Sequence, residues 1–408
     1  MTRAQDNPAG RLGDLFDNAA ADTLLADRGL RTPFLRVAKD GRTYAAGDFT
    51  APGGVGAEIG DQLDETKLLD LFADGATLVL QGLHRTWAPI RAFAADLAAD
   101  IGHPVQVNAY VTPPQNTGFS DHYDVHDVFV VQVAGSKTWR IRPPVLRHPL
   151  RSQPWENRRA AVQEAATRPP LLETTLEPGD VLYLPRGFIH AATARGAVST
   201  HLTIGIHTWT GHHVGERLMS YAARRLAADP SVRASLPLGI DLSGPDVASN
   251  PAVAQAVEIA REVLIAALRE APADVVLRDL AGPNRSGTRP AAVGPIASVE
   301  AANAVTADAV LVLRRHLAAT LSPAGEGLVL DSRAGRRAVS AADAAAVRAL
   351  LSSGRARAGD LGLDLARRLI RAGVAVVEAA GASAPGSSAE RPQPDQATAD
   401  PELTPAAT

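Results

Sequence analysis

Residues 120–141 read SDHYDVHDVFVVQVAGSKTWRI. Between Val128 and Ile141 the pattern is strand, Ala-Gly-Ser-Lys turn, strand, which predicts a β-hairpin. The same stretch opens on His122-Tyr123-Asp124. Residues two apart on an extended backbone point to one face, so the His122 imidazole and the Asp124 carboxylate can converge on a single point.

Outward from there the chain keeps a β-rich grammar. Upstream, residues 14–25 read as a helix, and PFLRVAKDGRTY (33–44) as a strand, a Lys-Asp-Gly-Arg turn and a second strand. A Gly-rich loop (51–60), a helix over 64–73 and a short buried strand over 76–81 follow. Trp87 to Ile101 is an amphipathic helix that tolerates Pro89 in its first turn, and 105–112 is a strand. Downstream, 143–170 is rich in Pro and Arg and reads as a long insertion or crossing loop. LLETTL (171–176), VLYLP (181–185) and STHLTIGIHTW (199–209) are strands again. Many short strands with Gly/Pro turns and no βαβ alternation predict an antiparallel sandwich or barrel of the cupin, or double-stranded β-helix, jelly-roll kind.

After Gly211 the character changes. Helices are predicted over 214–226, 251–270, 302–321, 340–351 and 360–371, with Gly373 stopping the last before a strand at 374–377. Helix, turn, helix and a closing strand outline a small winged-helix-like α+β unit. Residues 301–380 carry eleven arginines against seven acids, a mild excess. The expected division is therefore a lead-in (1–30), a β catalytic domain (31–210), a helical region (211–300), a winged-helix-like domain (301–380) and a disordered tail (381–408).

Composition removes several classes of function. The chain has 408 residues, 46% of them hydrophobic, ample for more than one core. A formal net charge of -3 gives no global field for nucleic acid or an anionic membrane. There is no cysteine, so disulfides, thiolate metal sites and Cys nucleophiles are excluded, and any metal must be held by His, Asp and Glu. No run of about 18 apolar residues occurs, and MTRAQDNPAGRLGDLF lacks a signal-type apolar core, so a cytoplasmic protein without membrane partners is expected.

The chemistry gathers on few residues. A third ligand to join His122 and Asp124 is offered by His190 in GDVLYLPRGFIHAA (179–192), just past a strand end on a Pro/Gly-shaped loop. Two histidines and one carboxylate with other positions open are the ligand set of non-haem Fe(II) oxygenases. If 2-oxoglutarate occupies two open positions, its far carboxylate needs a cation. Lys is used only at 39, 67 and 137, and Lys137 lies between apolar strands. A point charge there suits a narrow pocket; an exposed turn lysine is the plain alternative. Asn108 and Tyr110 share one face of the preceding strand and could hydrogen-bond a carboxylate or simply belong to the core. His126 and Asp127 are rival ligands, and His201 and His207 are outer donors or core histidines. His84, His103, His148, His212, His213 and His316 are expected at the surface.

Taken together, NAYVTPPQNTGFSDHYDVHDVFVVQVAGSKTWRIRPP, LEPGDVLYLPRGFIHAA and STHLTIGIHTW resemble the JmjC-type ribosomal oxygenases, Fe(II)- and 2-oxoglutarate-dependent hydroxylases of ribosomal-protein side chains. The resemblance covers roughly residues 30–210. It implies iron on His122, Asp124 and His190, the keto acid on Lys137, and Asn108 and Tyr110 at the border of that pocket. It also implies a homodimer through the helical region, and a winged-helix-like domain that serves contacts within the protein rather than DNA. The substrate class it implies is a protein or peptide. A hydroxylase of a peptide natural product or small metabolite, and a non-catalytic metal-binding cupin, are the other readings.

Overall fold

The computed structural model describes residues 1–3, 14–56, 58–325 and 327–378, with side chains left aside at 281–286. The expected tail from residue 381 lies outside them. The chain divides into two compact units: Met1–Gly294 with Arg314–Ala344, and Pro295–Leu313 with the residues from Ala345 onward. These units do not follow the expected break at residue 300, because 314–344 groups with the first.

The first unit is built on an eight-stranded antiparallel sheet. Its strands are β1 (Leu35–Lys39), β2 (Arg42–Thr43), β3 (Thr77–Leu80), β4 (Val105–Thr112), β5 (Asp127–Arg142), β6 (Leu172–Leu176), β7 (Val181–Leu184) and β8 (Ile189–Ile206). They pair in the order β2-β1-β3-β4-β8-β5-β6, with β7 also against β5. This is the β-rich jelly-roll-like architecture expected. The buried face of β4 alternates Val105, Val107, Ala109 and Val111, and it packs with Leu35, Leu80, Leu83 and Ile90 into the largest apolar cluster. Its opposite face carries Gln106, Asn108 and Tyr110, half-buried. The period of two thus sends one set of β4 side chains to the helices and the other to the opposite face of the sheet.

The predicted hairpin over 128–141 is not formed. Residues 127–142 are one continuous strand, paired along its length with β8. The Ala-Gly-Ser-Lys segment is an irregularity instead: the register jumps between Arg195 and Thr200, with Ala134 opposite Thr200 and Ser136 opposite Arg195. Gly135 takes φ +58, and a Cβ there would lie 2.2 Å from the Val198 carbonyl oxygen. The buried Gln132 amide donates to the carbonyls of Ala134 and Gly135 and to Ser199 Oγ, satisfying groups the interrupted ladder leaves free. A Gly flanked by strands marks a bulge as readily as a turn, and here the long partner β8 decides for the bulge.

The segment 143–170 holds a short helix, Arg159–Ala166. Beyond the barrel, helices Gly211–Ala228, Pro251–Glu270 and Ala273–Gly287 form the helical region, and Thr320–Ala324, Gly327–Ser332 and Gly335–Val339 form a three-stranded meander. The second unit has helices Pro295–Ala304, Ala344–Ser353 and Leu363–Arg371, and a three-stranded sheet of Val310–Leu313, Arg355–Arg357 and Ala375–Val377. The helix predicted over 302–321 is therefore two strands after a helix end. Val310–Leu313 is a short apolar run, which periodicity cannot tell from a buried helix. His316 (φ 59) and Ala318 (φ 47) sit in the left-handed region, which no α-helix accommodates.

Candidate metal centre

His122, Asp124 and His190 come together: one ligand atom from each lies within 4.8 Å of the others. Two backbone hydrogen bonds place the histidines. His190 N–H donates to the His122 carbonyl at 2.8 Å and His122 N–H to the His190 carbonyl at 3.2 Å, an isolated antiparallel bridge. The loop Pro185–Phe188 is tied to the same stretch, with Gly187 N–H on the Asp124 carbonyl (2.9 Å) and Arg186 N–H on the Asp127 carboxylate (3.0 Å). Tyr123, between the two ligands, turns the other way. It is 1% exposed, packs with Val162 and Ile189, and its hydroxyl donates to the Gln153 carbonyl. Alternation along the chain thus aims His122 and Asp124 together because Tyr123 is buried opposite.

Each imidazole is also fixed in tautomer. His122 Nδ1 lies 2.8 Å from the Ser120 carbonyl and His190 Nδ1 3.0 Å from the Phe188 carbonyl. A carbonyl only accepts, so each Nδ1 carries the proton and each Nε2 keeps its lone pair for a metal. His190 Nε2 is 3.7 Å from Asp124 Oδ2. Burial lowers the His190 imidazole to about 4, with His122 adding to the effect and Asp124 opposing it. Burial alone would raise the Asp124 carboxyl; His190, His126, His122 and Arg36 outweigh it and hold the group below the usual carboxylate range. A divalent cation requires neutral imidazole and ionised carboxylate ligands, and the shifts of His190 and Asp124 run in that direction.

The triad opens into a cavity lined also by Tyr110, Phe119, Lys137, Trp139, His201 and Thr203. Lys137 is 3% exposed, so the exposed-turn alternative is excluded. Its ammonium donates to Thr112 Oγ1 at 2.9 Å and has no carboxylate partner among the described residues, and burial lowers it to about 7. Trp139 Nε1 and His201 Nδ1 are buried without a hydrogen-bond partner in the same cavity. Tyr110 stacks on His201 at 4.9 Å and 7°, and burial, with Asp124, pushes its phenol up to about 12.

Other candidates go elsewhere. Asn108 does not line the cavity; its Oδ1 accepts from Gly82 N–H and the Gln106 amide. His126 packs against Gly205 and His207, with ring centroids 5.0 Å apart, in a neighbouring cavity, and Asp127 is held by Arg186 N–H. His207 faces Gln106 Oε1 at 3.2 Å. His148 and His212 are exposed as expected. His84, His103, His213 and His316 are instead half-buried, accepting from Val107, Trp209 and Thr210 N–H or pairing with Asp96. Thr112, Trp139 and Arg36 were not singled out from sequence; their strand positions alone carry no signal of chemistry.

A family model described as the JmjC domain matches residues 87–214, which contain all six of the candidate ligand and pocket residues. The chain carries a JmjC domain. The chain is 40% identical over 146 residues to human ribosomal oxygenase 1, covering 34% of this chain and 22% of that protein. It is 34% identical over 139 residues to the Drosophila persimilis bifunctional lysine-specific demethylase and histidyl-hydroxylase NO66, covering 33% and 19%. The chain thus spans about a fifth of the length of these curated relatives. The structure of Escherichia coli YcfD is similar at a TM-score of 0.50 with 16% identity, over 92% of this chain and 94% of that one, a likeness of fold. Around the JmjC domain no helix among the described residues is long and apolar enough to cross a membrane.

Proposed function

We propose that this protein is an Fe(II)- and 2-oxoglutarate-dependent hydroxylase of a protein side chain, such as a residue of a ribosomal protein. The observation that carries this reading is that the two-histidine, one-carboxylate cluster and the unpaired Lys137 line one cavity. His122, Asp124 and His190 would hold the metal through their Nε2 and carboxylate atoms and leave its other positions open. Lys137, beside Thr112, would take the far carboxylate of the keto acid. A buried ammonium without an anion is costly, and a dicarboxylate removes that cost. Trp139 and His201 have unpaired N–H or ring nitrogen atoms that a bound carboxylate or water would satisfy. Val128, Val130 and Leu184 give the cavity apolar walls, which would limit water at the reacting centre. When bound, iron with 2-oxoglutarate and O₂ supplies the oxidising power for C–H hydroxylation.

The substrate class is supported by the names of the curated relatives, one a ribosomal oxygenase and one a histidyl-hydroxylase. The same reading carries a cytoplasmic setting and a homodimer. Exposed Met219, Val257, Ile265 and Leu277 on the helices after the barrel support the dimer. A winged-helix-like role for the C-terminal unit, without DNA contact, rests on its two last helices and three short strands. The test is succinate formation from 2-oxoglutarate with Fe(II), together with mass spectrometry of ribosomal proteins from cells with and without the gene. A one-oxygen mass shift lost with the gene is expected. Absence of both succinate and any lost shift would refute the assignment.

A further inference from the structure

Next to the JmjC cavity, still within the first compact unit, two adjoining hollows form a trough; both are lined by His84, Arg85 and Val105. The outer hollow, of about 370 Å³, carries Arg85, Arg91, Arg289, Arg315 and Arg333. The inner one, of about 440 Å³, adds Arg151 and Arg186 and reaches Val125 and His126, next to Asp124. Among the described residues lining either hollow the only acid is Asp96, and it is shared by Arg315 and His316 at 2.6 Å each. Arg85, Arg91, Arg151 and Arg289 have no carboxylate partner among the described residues. Arg333 Nε and Arg186 Nε are buried without a hydrogen-bond partner. A chain of net charge -3 has therefore gathered seven guanidinium groups around one trough.

Uncompensated arginines in a concave surface raise the local concentration of an anion, and their planar forks match phosphate oxygens. Arginine as a type decides little here, since the chain has only three lysines; the count and the missing acids decide. The rings distinguish between polyanions. Trp209 lines the inner hollow with His213 edge-on at 5.2 Å, and His126 and His207 lie beside them. Flat rings alternating with cations are the platform that unpaired bases stack on, which an acidic peptide does not use. Together the two hollows, of about 370 and 440 Å³, have room for a short single strand rather than a duplex.

We propose that this trough binds the backbone of single-stranded RNA, with unpaired bases against Trp209 and the neighbouring imidazoles. That the strand is RNA rests on the proposed hydroxylase reading, since a ribosomal protein is met beside RNA; the trough itself does not. RNA held there brings its attached protein to the rim beside Asp124.

The test is fluorescence anisotropy of a labelled twelve-residue oligouridylate with the full-length protein over a series of salt concentrations. Saturable binding is expected, with a log–log salt slope of about -3 if four phosphates are neutralised. Arg91→Ala with Arg289→Ala should weaken binding about tenfold and reduce the slope by roughly 1–2, with 2-oxoglutarate turnover unchanged. The Gln pair replaces the Ala pair if the latter unfolds. Binding by the His122→Ala protein should match wild type, so a failed hydroxylase reading would leave this result standing. No saturable binding at low salt, binding indifferent to substitution of Arg91 and Arg289, or equal competition by polyglutamate or ATP would overturn the proposal.

Discussion

His122 and His190 face each other across a single antiparallel bridge, exchanging both backbone hydrogen bonds while their rings sit 4.4 Å apart. The imidazoles are therefore brought together by main chain, and each is set in tautomer by a carbonyl two residues before it. The framework should therefore survive removal of either side chain. His122→Ala, Asp124→Ala and His190→Ala should each fold and each lower Co(II) or Fe(II) affinity by more than the ~10–100-fold that loss of an outer hydrogen bond costs. Equilibrium dialysis with thermal unfolding as control checks this; wild-type affinity in any of the three would remove that residue from the ligand set.

His126 continues the period-two face from His122 and Asp124, yet its ring packs against Gly205 and His207 outside the cavity of the triad. His126→Ala should keep metal affinity within about fivefold of wild type, because a group that only senses the site electrostatically contributes about 1 kcal/mol or less in a partly solvated setting. The same dialysis measurement decides, and a loss as large as that of His122→Ala would make His126 a ligand.

Lys137 gives a pH dependence with a definite sign. Its folded pKa is lowered from 10.5 to about 7 by burial. Between those values the unfolded chain binds more protons than the folded one, so the stability of the ligand-free protein rises with pH from about 7 to about 10. A carboxylate beside Lys137 favours the charged ammonium and reverses the preference. Affinity for 2-oxoglutarate should accordingly fall as pH rises from 7 to 9 in wild type and stay nearly level in Lys137→Gln, which also binds more weakly throughout. Calorimetric titration at several pH values, with unfolding scans of the ligand-free protein, reads both effects. A level wild-type affinity would take Lys137 out of the keto-acid pocket.

How much of this was visible in the residues varies with the kind of signal. The β4 strand was legible because Val105, Val107, Ala109 and Val111 alternate against polar neighbours. The triad was legible because its spacing is local at 122 and 124 and its third member follows a Pro/Gly loop. Asn108 shared a face with Tyr110, but parity tells which side of a sheet a residue takes and not how far along the strand the site lies. Tyr110 reaches the cavity; Asn108 stops at Gly82. The strand Val310–Leu313 was read as helix because four apolar residues fit either period until their sheet partners are known. The arginine trough was not legible at all, since its members are spread from Arg85 to Arg333 and meet only through the fold.

Gly135 joins the misread hairpin to the chemistry. Cavity-lining residues on β5 are Val128 and Val130 before it, and Lys137 and Trp139 after it, so the face changes from even to odd across the irregularity. On β8 the lining residues His190 and Ala192, with Ala191 between them, give way to His201 and Thr203 beyond the irregularity. In an unbroken strand Lys137 would point away from Val130, because one residue of slip moves every side chain to the other face. Gly135→Ala meets both the left-handed φ and the Val198 carbonyl, a strain of roughly 1–3 kcal/mol. If the bulge relaxes to relieve it, the residues after 135 lose their register while His122, Asp124 and His190 keep their bridge. The variant should therefore melt several degrees lower and bind 2-oxoglutarate more weakly, with metal affinity close to wild type. Thermal unfolding and the two binding titrations separate these effects, and an equal loss of metal and keto acid would show that Gly135 supports the whole barrel rather than the placement of Lys137.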